Sequence, residues 1–501
     1  MLLGIDIGTS GTKATLLTNE GKFISDAYKP YDTIAVKPYH VEQDSNVWWD
    51  ALKEVIPRCL KQASLGHEVN AMCLSSQAGT MVPVDENCIP LTNAITWQDS
   101  RCENERLKLL EDYDDDFFYK RTGWKLNNCY NMIQIFWMKQ NIPEVYDKTY
   151  MFLGTSDYLN YKLIGEYVVD FSDAGQRQLI NVSRKEWDKD ILNIIGIEKN
   201  KLSRLVKTGE PIGTLKKDVA AELGLNEGVV LVSGSQDQYC AAVGINAVHK
   251  NDTMLSTGTG WDMIGFTDKI IYDTNSYMSF TNHVVEGLYT AYAYTPVGSS
   301  ALKWYRLNMG EKHIDKDGNI RLESYSEMDA RAQKIPAGSD GLLFSPHFVG
   351  TLYPTWSTKS KSVLSGLGFF HNRDHIARAA MEGVVFEIAW MVEGMKAAGY
   401  EINAIKTHGG ATNSNFWMQI LADVTGLPVI IPLGIEVAST GAAMIAGYGI
   451  GLFNSYDEAY KIFGIKESRI DVNPEKHKQY RPFFEKYKST FHAMKAVFDQ
   501  Q

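Results

Sequence analysis

Two similar segments, residues 2–17 and 252–267, constrain the fold of this chain more than any other feature. The first reads LLGIDIGTSGTKATLL and the second DTMLSTGTGWDMIGFT. In each, a turn of Ser, Thr and Gly separates two apolar runs, which is the pattern of a β-hairpin. Two domains that open with the same hairpin would form two related halves around a cleft. The alternative is a chance likeness between two hairpins of a long α/β protein.

The first hairpin also carries a carboxylate, Asp6, inside an apolar run, beside a turn crowded with small residues. One interpretation is a tight hairpin whose turn requires Gly and is capped by the Asp. The other is a phosphate site, in which backbone N–H groups face an anion and the carboxylate faces its metal ion. These residues alone do not decide between the two.

The length and charge of the chain limit its class. A chain of 501 residues exceeds one ordinary core and suggests two large domains or three small ones. With 44% hydrophobic and 22% charged residues it is typical of a globular protein. The formal net charge of −10 argues against a nucleic-acid partner but not against a small phosphorylated ligand.

The cysteines form no CxxC pair and have no His partner at zinc spacing; they are Cys59, Cys73, Cys88, Cys102, Cys129 and Cys240. Such scattered cysteines are typical of reduced thiols. Met1 leads directly into a strand pattern, and no apolar run reaches the roughly 18 residues of a membrane helix. We therefore expect a soluble cytoplasmic protein with no membrane partner.

Strand and helix patterns alternate along the chain, which indicates an α/β fold. Residues 23–33 read as a third strand after the first hairpin, 45–63 as a helix, 69–76 as a buried strand and 81–97 as two strands around a turn. Helical patterns follow at 131–141 and 156–165. Residues 229–249 pass from a strand through a small-residue turn into a helix, and the alternation then restarts. We place the domain boundary there, with domains 1–246 and 247–501.

Four segments combine small turn residues with a carboxylate or an amide: Asp6 with GTSGTK, Gln98-Asp99 after Trp97, Asp237 in GSQDQ, and HGGATNSN at 408–415. Glycine-rich turns at strand ends are common phosphate sites. None of the four matches a P-loop or dinucleotide fingerprint, and HExxH and GxSxG are absent from the sequence. Asp237, between a strand and a helix, is either an N-cap or a general base that accepts a proton from a substrate hydroxyl.

The order of these segments resembles the FGGY carbohydrate kinases, ATP-dependent kinases of sugars and polyols in the actin-like superfamily. IDIGTSGTK is similar to the first phosphate segment, TWQDSRCENE to the substrate segment, and STGTGWD to the second phosphate segment. Residues 408–429 are similar to the adenosine segment, and 157–174 and 436–447 to two further family stretches. SVLSGLGFFHNRDHIARAAME meets the C-terminal family pattern in full. The resemblance implies two actin-like (ribonuclease H-like) domains around a central cleft.

The resemblance also implies the roles of individual residues, with ATP and Mg²⁺ as cofactors. Asp237 would be the catalytic base and would also contact the substrate, together with Gln77 and Asp99, whereas Trp97 is expected to be a packing residue. Asp6 would help to hold Mg²⁺ through water. The nucleotide would be held by two sets of residues. The terminal phosphates would meet Gly8, Thr9, Ser10, Gly11, Thr12, Lys13, Thr257, Gly258 and Thr259, and the adenosine would meet Gly409, Gly410, Ala411 and Asn413.

Several departures from the family patterns bear on the substrate. The turn after Gln77 is Ala78-Gly79, where D-xylulose kinases of the family have Met-His and glycerol kinases have Arg-Glu. TLYP at 351–354 stands where relatives often have ERxP, and His408 replaces the first glycine of GGGA. In the N-terminal family pattern Gln134 replaces a Lys and Asn131 a small residue or Pro. The overall pattern favours a ketopentose such as D-xylulose, with gluconate, glycerol, erythritol and ribulose as alternatives. The oligomeric state stays open, although homodimers are common in the family.

Two interpretations from other classes stay open. The chain could be an actin-like ATPase that couples hydrolysis to protein binding, although it lacks a separate C-terminal substrate-binding domain. It could also be a catalytically inactive sugar sensor, which the presence of Asp237 disfavours. ATP turnover that ignores sugar would indicate the first, and sugar binding without ADP production the second.

Overall fold

The computed structural model describes residues 1–63, 68–273, 276–314 and 318–500. We call residues 1–246 the first half and residues 247–501 the second half. The strands of the first half are β1 (Leu2–Ile7), β2 (Gly11–Leu17), β3 (Phe23–Pro30), β4 (Ile34–Lys37), β5 (His40–Gln43), β6 (Ala71–Ser76), β7 (Val82–Val84), β8 (Ala94–Ile95), β9 (Met151–Leu153), β10 (Val168–Asp170), β11 (Ile180–Asn181), β12 (Glu186–Trp187), β13 (Arg204–Val206), β14 (Pro211–Thr214) and β15 (Val230–Gln236). Those of the second half are β16 (Thr253–Thr257), β17 (Trp261–Thr267), β18 (Ser279–Asn282), β19 (Tyr289–Thr295), β20 (Lys312–Ile314), β21 (Ile320–Leu322), β22 (Leu343–Ser345), β23 (Val363–Ser365), β24 (Ile405–His408), β25 (Val429–Leu433) and β26 (Lys466–Ile470).

The helices surround the sheets and connect their strands. In the first half they are α1 (Asn46–Gln62), α2 (Glu103–Asp112), α3 (Asp115–Thr122), α4 (Asn131–Asn141), α5 (Pro143–Lys148), α6 (Thr155–Ile164), α7 (Phe171–Gln176), α8 (Lys189–Ile195), α9 (Lys217–Glu222) and α10 (Asp237–Gly244). In the second half they are α11 (Ser299–Met309), α12 (Tyr325–Ala332), α13 (Arg373–Ala397), α14 (Asn415–Thr425), α15 (Val437–Gly449), α16 (Tyr456–Phe463) and α17 (Pro474–Phe498). None of the helices in these described ranges is long and apolar enough to cross a membrane.

Each half contains one large sheet, and the two sheets repeat the same pattern of pairing. The first has the order β14-β15-β6-β1-β2-β3 and the second β18-β19-β17-β16-β24-β25-β26. In the first sheet β1 pairs antiparallel with β2 and parallel with β6, and in the second β16 pairs antiparallel with β17 and parallel with β24. The equivalent strands therefore follow one another in the same order, and β18 is an additional strand at the edge of the second sheet.

The main sequence predictions about these elements are confirmed. Both predicted hairpins are present, and β3 extends the first one by pairing with β2. The helices predicted at 45–63, 131–141 and 156–165 are α1, α4 and α6, and the buried strand at 69–76 is β6. The two strands at 81–97 are β7 and β8, but their ladder partners are β9 and β5, because that segment lies between two small sheets.

The two halves share a core in which helices α10 and α15 pack against each other. A Cβ on Gly441 would lie 1.9 Å from the carbonyl oxygen of Cys240, and one on Gly244 would lie 2.2 Å from that of Val437. Helix α15 also approaches β1 so closely that a Cβ on Gly4 would lie 1.8 Å from the carbonyl oxygen of Ser439. These contacts require glycine, since any side chain would overlap backbone atoms. Helix α15 of the second half thus packs directly on the sheet of the first half.

Candidate active site

Three parallel strands of the first sheet end at the same level and bring three predicted residues together. The register pairs Ile7 of β1 with Ser76 of β6, and Ser76 with Gln236 of β15. The next residues along the chain are Gly8, Gln77 and Asp237. Because the carboxyl ends of parallel strands share one edge of a sheet, these residues lie along a single edge, where ligands of α/β folds commonly bind.

The carboxylate of Asp6 lies close enough at this edge for its charge to raise the pKa of Asp237. The pKa of Asp237 is raised to about 7, chiefly by burial and secondly by the nearby charge of Asp6. Burial likewise raises the pKa of Asp6 to about 6, against a hydrogen bond in which the Ser75 hydroxyl donates to Asp6 Oδ1 at 2.7 Å. Two half-buried carboxylates with raised pKa values at a strand edge are typical of a catalytic site.

A carboxylate of the second half, Asp262, also contributes to this environment. It lies on β17, accepts a 2.5 Å hydrogen bond from the Tyr292 hydroxyl, and is one cause of the raised pKa of Asp237. Burial raises the pKa of Asp262 itself to about 6. Asp237 is therefore near a carboxylate of each of the two large sheets. The sequence analysis quoted STGTGWD but assigned Asp262 no role; its position directly after a phosphate-type turn was the available signal.

In the first phosphate-like segment, the turn residues are accessible and the strand residues after them contact other side chains. Gly8 donates its N–H to the Gly11 carbonyl at 2.9 Å, closing a turn in which Ser10 is exposed and Thr9 half-buried. The strand residues that follow are in contact with tyrosine side chains of the same half. A Cβ on Gly11 would lie 2.3 Å from the Tyr28 hydroxyl, and the buried Thr12 hydroxyl lies 3.0 Å from that of Tyr31. The turn itself is thus the part of the segment most open to a ligand.

Lys13 points toward the second half of the chain. Its ammonium lies 2.8 Å from Glu436, the residue before α15, and 3.0 Å from Asp26. The partner Glu436 belongs to a family-like stretch to which the sequence analysis gave no role. The predicted contact of Lys13 with the terminal phosphates stays a prediction, and it would require the ammonium to leave both carboxylates.

The second hairpin and the Gly-rich segment at 408–413 meet at the edge of the second sheet. Strands β16 and β24 are parallel, with Ser256 opposite His408, and the Thr257 hydroxyl donates to the His408 carbonyl at 2.7 Å. Gly409 has φ +105°, and a Cβ there would lie 2.9 Å from Thr257 Oγ1. Both the positive φ and the close approach to Thr257 require glycine at this position. The two predicted nucleotide segments of the second half are therefore neighbours.

The groups that would contact a nucleotide in these segments are mostly exposed. Gly258, Thr259, Gly409, Gly410 and Asn413 are exposed, whereas Thr257 and Ala411 are buried and support the turns. The chain then enters α14, whose N-cap is the residue after Asn413. Exposed backbone N–H groups in a glycine-rich turn before a helix are suited to an anionic ligand.

The predicted sugar side is a connected hydrogen-bond network. The Thr9 hydroxyl donates to Gln77 Oε1 at 3.1 Å, Gln77 donates to Gln43 Oε1 at 3.0 Å, and the Trp97 indole donates to the Thr9 hydroxyl at 3.0 Å. The expectation that Trp97 is a packing residue does not describe its position, because its side chain is 40% exposed. Its neighbour Gly79 leaves room for the ring, since a Cβ there would lie 3.1 Å from that of Trp97.

Asp99 is buried, and its carboxylate is already occupied by protein donors. Arg101 donates to both oxygens at 2.7–2.9 Å, and the Val41 N–H donates to Oδ2 at 2.7 Å. Arg101 is held in turn by Glu42 at 2.9 Å. The contact of Asp99 with a substrate hydroxyl stays a prediction, and a substrate would have to compete with this ion pair.

Gln134, which replaces a family Lys, connects the loops of the sugar side. Its amide nitrogen donates to the carbonyl oxygens of Gly79 at 3.3 Å, Thr96 at 3.4 Å and Cys129 at 2.9 Å. These three loops carry Gln77, Trp97 and the start of α4. A neutral amide thus joins them without adding a charge to the buried site.

Comparison with known proteins bears on the fold and on the class of the protein. The solved structure of a ligand-bound xylulose kinase from Lactobacillus acidophilus superimposes with a TM-score of 0.91, at 24% identity over 99% of each chain. This likeness confirms the predicted fold of two actin-like domains around a central cleft. The xylulose kinase of Bacillus subtilis is 28% identical over 98% of this chain and 96% of its own length, and the gluconokinase of the same organism is 27% identical over 96% and 94%.

The family profiles identify the class of the protein. The N-terminal domain profile of the FGGY family of carbohydrate kinases matches residues 1–244, and the C-terminal domain profile matches residues 254–450. The chain belongs to the FGGY family of carbohydrate kinases. It is accordingly a phosphotransferase, and the resemblance stated from its sequence motifs is confirmed.

Proposed function

We propose that the protein transfers the γ-phosphoryl group of ATP to a hydroxyl of a ketopentose such as D-xylulose, with Asp237 as general base. The single observation that carries this proposal is the position of Asp237, whose pKa is raised to about 7 at the strand edge shared with Asp6. A base with a pKa near neutrality holds its proton weakly enough to exchange it during turnover. Xylulose kinases among the relatives support the substrate class.

In the proposed reaction Asp237 accepts the hydroxyl proton as the substrate oxygen bonds to the γ-phosphorus. The bond from that phosphorus to the bridging oxygen breaks, and ADP leaves. Because the transition state of phosphoryl transfer is loose, the protein acts chiefly by alignment and by charge neutralisation. We propose that Gln77 and Asp99 orient the sugar, with Asp237 contacting the same hydroxyl.

The donor set near Asp237 fits Mg²⁺. Asp6 Oδ1 accepts the Ser75 hydroxyl, and Oδ2 accepts no hydrogen bond from the described residues. No group of three or more His, Cys, Asp or Glu side chains forms a metal cage within the described residues. Mg²⁺ is commonly bound by one or two carboxylates together with substrate phosphates and water, which suits Asp6. Bound there, the ion would neutralise charge on the phosphates.

The nucleotide would lie between the two sheet edges. We propose that Gly8, Thr9 and Ser10 contact the terminal phosphates from the first half and Thr257, Gly258 and Thr259 from the second. Gly409, Gly410, Ala411 and Asn413 would line the adenosine site. The predicted contacts of Gly11, Thr12 and Lys13 require a shift of the side chains around them and are the least direct part of the proposal.

We also propose the domain boundaries, the cellular location and the partners of the protein. The domains are residues 1–246 and 247–501, with α15 extending from the second onto the first. A cytoplasmic location is supported by the cysteines, all of which are free thiols and all but Cys129 buried. The proposal includes neither a nucleic-acid nor a membrane partner, and it allows a homodimer.

Gluconate is the second candidate substrate, because the gluconokinase of Bacillus subtilis matches this chain about as well as the xylulose kinase does. The Ala78-Gly79 turn favours neither, since it lacks the large polar pair found in the sugar-reading turn of other family members.

An ADP-release screen with the purified protein tests the proposal. The substrates are D-xylulose, ribulose, fructose, gluconate, erythritol and glycerol, ranked by kcat/KM. We expect D-xylulose to rank first, and gluconate in first place would indicate the second candidate. ADP release that is the same with and without every sugar would contradict a sugar kinase and indicate an actin-like ATPase.

A further inference from the structure

A second cavity lies between the two halves, lined by none of the residues assigned to the active site. Its volume is about 560 Å³, which is within the range of small-molecule sites. The first half contributes Phe171, Lys185 and Lys207, and the second half contributes His283, Tyr448 and Tyr456, among others. A molecule in this cavity would contact both halves at once.

The buried wall of the cavity contains polar side chains with unused hydrogen-bonding atoms. Asn282, His283 and Tyr456 are 2%, 5% and 6% exposed. Asn282 Oδ1, His283 Nε2 and the Tyr456 hydroxyl accept or donate no hydrogen bond to the described residues. Leaving three buried polar atoms unpaired in one region is costly, so such a group calls for a partner that the chain alone does not supply.

The hydrogen bonds that are present define what His283 offers. The Val285 N–H donates to His283 Nδ1 at 3.1 Å, so the ring proton lies on Nε2. Burial lowers the pKa of His283 to about 3, and the ring is therefore neutral at physiological pH. These three lining residues thus carry one N–H donor, one hydroxyl and one carbonyl acceptor, each buried just behind the surface of the cavity.

The rim of the cavity carries a positive charge that is not neutralised by a contact. Lys207 is paired with Glu286 at 2.9 Å, and Asp457 with Lys461. Lys185 lines the same cavity and makes no ion pair within 4 Å of a described carboxylate, and its charge adds to that of Lys207 in lowering the pKa of Glu286. The aromatic rings of Tyr448 and Tyr456, with centroids 4.7 Å apart, supply an apolar surface beside these charges.

We propose that this cavity is a second ligand site, which binds a small organic anion with a ring or short apolar body and one carboxylate or phosphate group. Lys185 pairs with the anionic group, the two tyrosine rings cover the apolar body, and the unpaired atoms of the buried wall form hydrogen bonds to it. The proposal goes beyond the kinase reaction and does not depend on which sugar is phosphorylated.

The position of the cavity makes it suited to an effector. His249 lies just beyond α10, which begins at Asp237, and Tyr448 lies in the last turn of α15, which begins after Glu436. The rise of an α-helix places Tyr448 about 17 Å along α15 from its N-terminal end. A ligand there contacts α15 at its end remote from the catalytic carboxylates, together with the loop that follows α10. It favours the arrangement of the halves that forms the cavity.

The test measures binding of benzoate and phenyl phosphate to the full-length protein by calorimetry, with benzyl alcohol as the uncharged comparator. We expect at least one anion to bind about tenfold more tightly than benzyl alcohol, and to stay bound at saturating ATP because the two sites are separate. A preference for benzoate indicates a carboxylate ligand, and one for phenyl phosphate a phosphate ligand. Equal binding of all three probes, or displacement by ATP, would overturn the proposal.

Two variants locate the site. Lys185→Gln should weaken binding of the preferred anion about tenfold, whereas Lys199→Gln, an exposed lysine outside the cavity, should not. Tyr456→Phe should also weaken binding, yet it should not lower the free energy of unfolding without ligand, because the hydroxyl has no partner to lose and its unpaired burial is costly. Unchanged affinity in both Lys185→Gln and Tyr456→Phe would place the probe elsewhere and refute the assignment.

Discussion

Asp237 and Glu436 occupy equivalent places in the two halves but differ in environment. Each precedes or begins the helix that follows an equivalent strand, α10 after β15 and α15 after β25. Asp237 is partly buried among other carboxylates and its pKa is raised to about 7, whereas the Glu436 side chain is 57% exposed and pairs with Lys13 at 2.8 Å. The fold is repeated, but the two carboxylates differ in burial and in the charges around them.

The largest effect is expected from Asp237→Asn. Removing a general base should lower kcat about 10³-fold, while folding and ATP binding persist, because the side chain forms only a local bond to the Gln238 N–H. Turnover and nucleotide affinity are measured side by side. The matched variant is Glu436→Gln, which should keep most of the activity. A folded Asp237→Asn protein that retains most of its turnover would remove Asp237 from this role.

Asp6→Ala should act through metal and nucleotide and lower the rate about 10²-fold at a fixed Mg²⁺ concentration. The loss should shrink as Mg²⁺ is raised, since a weaker site can be filled by mass action. Asp50→Ala, on the exposed surface of α1, is the control. An unchanged Mg²⁺ dependence of the rate in Asp6→Ala would show that Asp6 does not serve the metal.

The pH profile tests the environment of Asp237 without a mutation. Its pKa is raised from 3.8 to about 7, so the active carboxylate form is lost below neutrality, and kcat/KM should fall about tenfold per pH unit there. The folded protein also binds this proton more tightly than the unfolded chain does. The contribution of Asp237 to stability is therefore present below pH 3.8 and lost as the pH rises to about 7.

Both parts of this pH prediction can be checked by experiment. Initial rates at low substrate give kcat/KM from pH 5 to 9, and denaturant titrations of Asp237→Asn should show a gain in stability over the unaltered protein that is larger at pH 8 than at pH 5. A rate that does not depend on pH between 5 and 8 would contradict the assigned pKa.

Gly409→Ala tests the nucleotide edge of the second half. Its φ of +105° and the 2.9 Å distance from a Cβ to Thr257 Oγ1 predict strain of about 1–3 kcal/mol, and hence a rise of about tenfold or more in KM for ATP. Gly399→Ala is the matched control, because its φ is +97°, a Cβ there meets nothing within 4 Å, and it lies outside the segments assigned to the nucleotide. If both variants had the same KM for ATP, the result would contradict a contact between this turn and the nucleotide.

The smallest effect is expected from Lys13→Gln. If Lys13 serves the contact between the halves, the partly exposed ion pair is worth about 1 kcal/mol or less, and KM for ATP should change less than about fivefold. The double variant with Glu436→Gln should then differ little from either single variant. A rise in KM for ATP well beyond tenfold would instead place the ammonium on the phosphates.

The sequence patterns predicted local elements well and side-chain partners poorly. The hairpins, α4 and the junction at β15 and α10 follow from periodicity and turn residues, which are local properties. The partners of Lys13 and Asp99 did not follow. The partner of Lys13 precedes helix α15, more than 400 residues along the chain. The partner of Asp99 is Arg101, which is close in sequence but is oriented by Glu42 of a distant strand.

What the sequence by itself determined is the duplicated α/β framework and the family, because small residues at fixed spacing dictate the turns and the motifs that carry the resemblance. Only the tertiary structure decided which carboxylates are chemically distinct. Burial, the meeting of three strand ends and the approach of Asp6 and Asp262 to Asp237 are properties of packing between distant segments. The pKa of a carboxyl group depends on the burial and the charges around it, and the order of residues along the chain does not specify these surroundings.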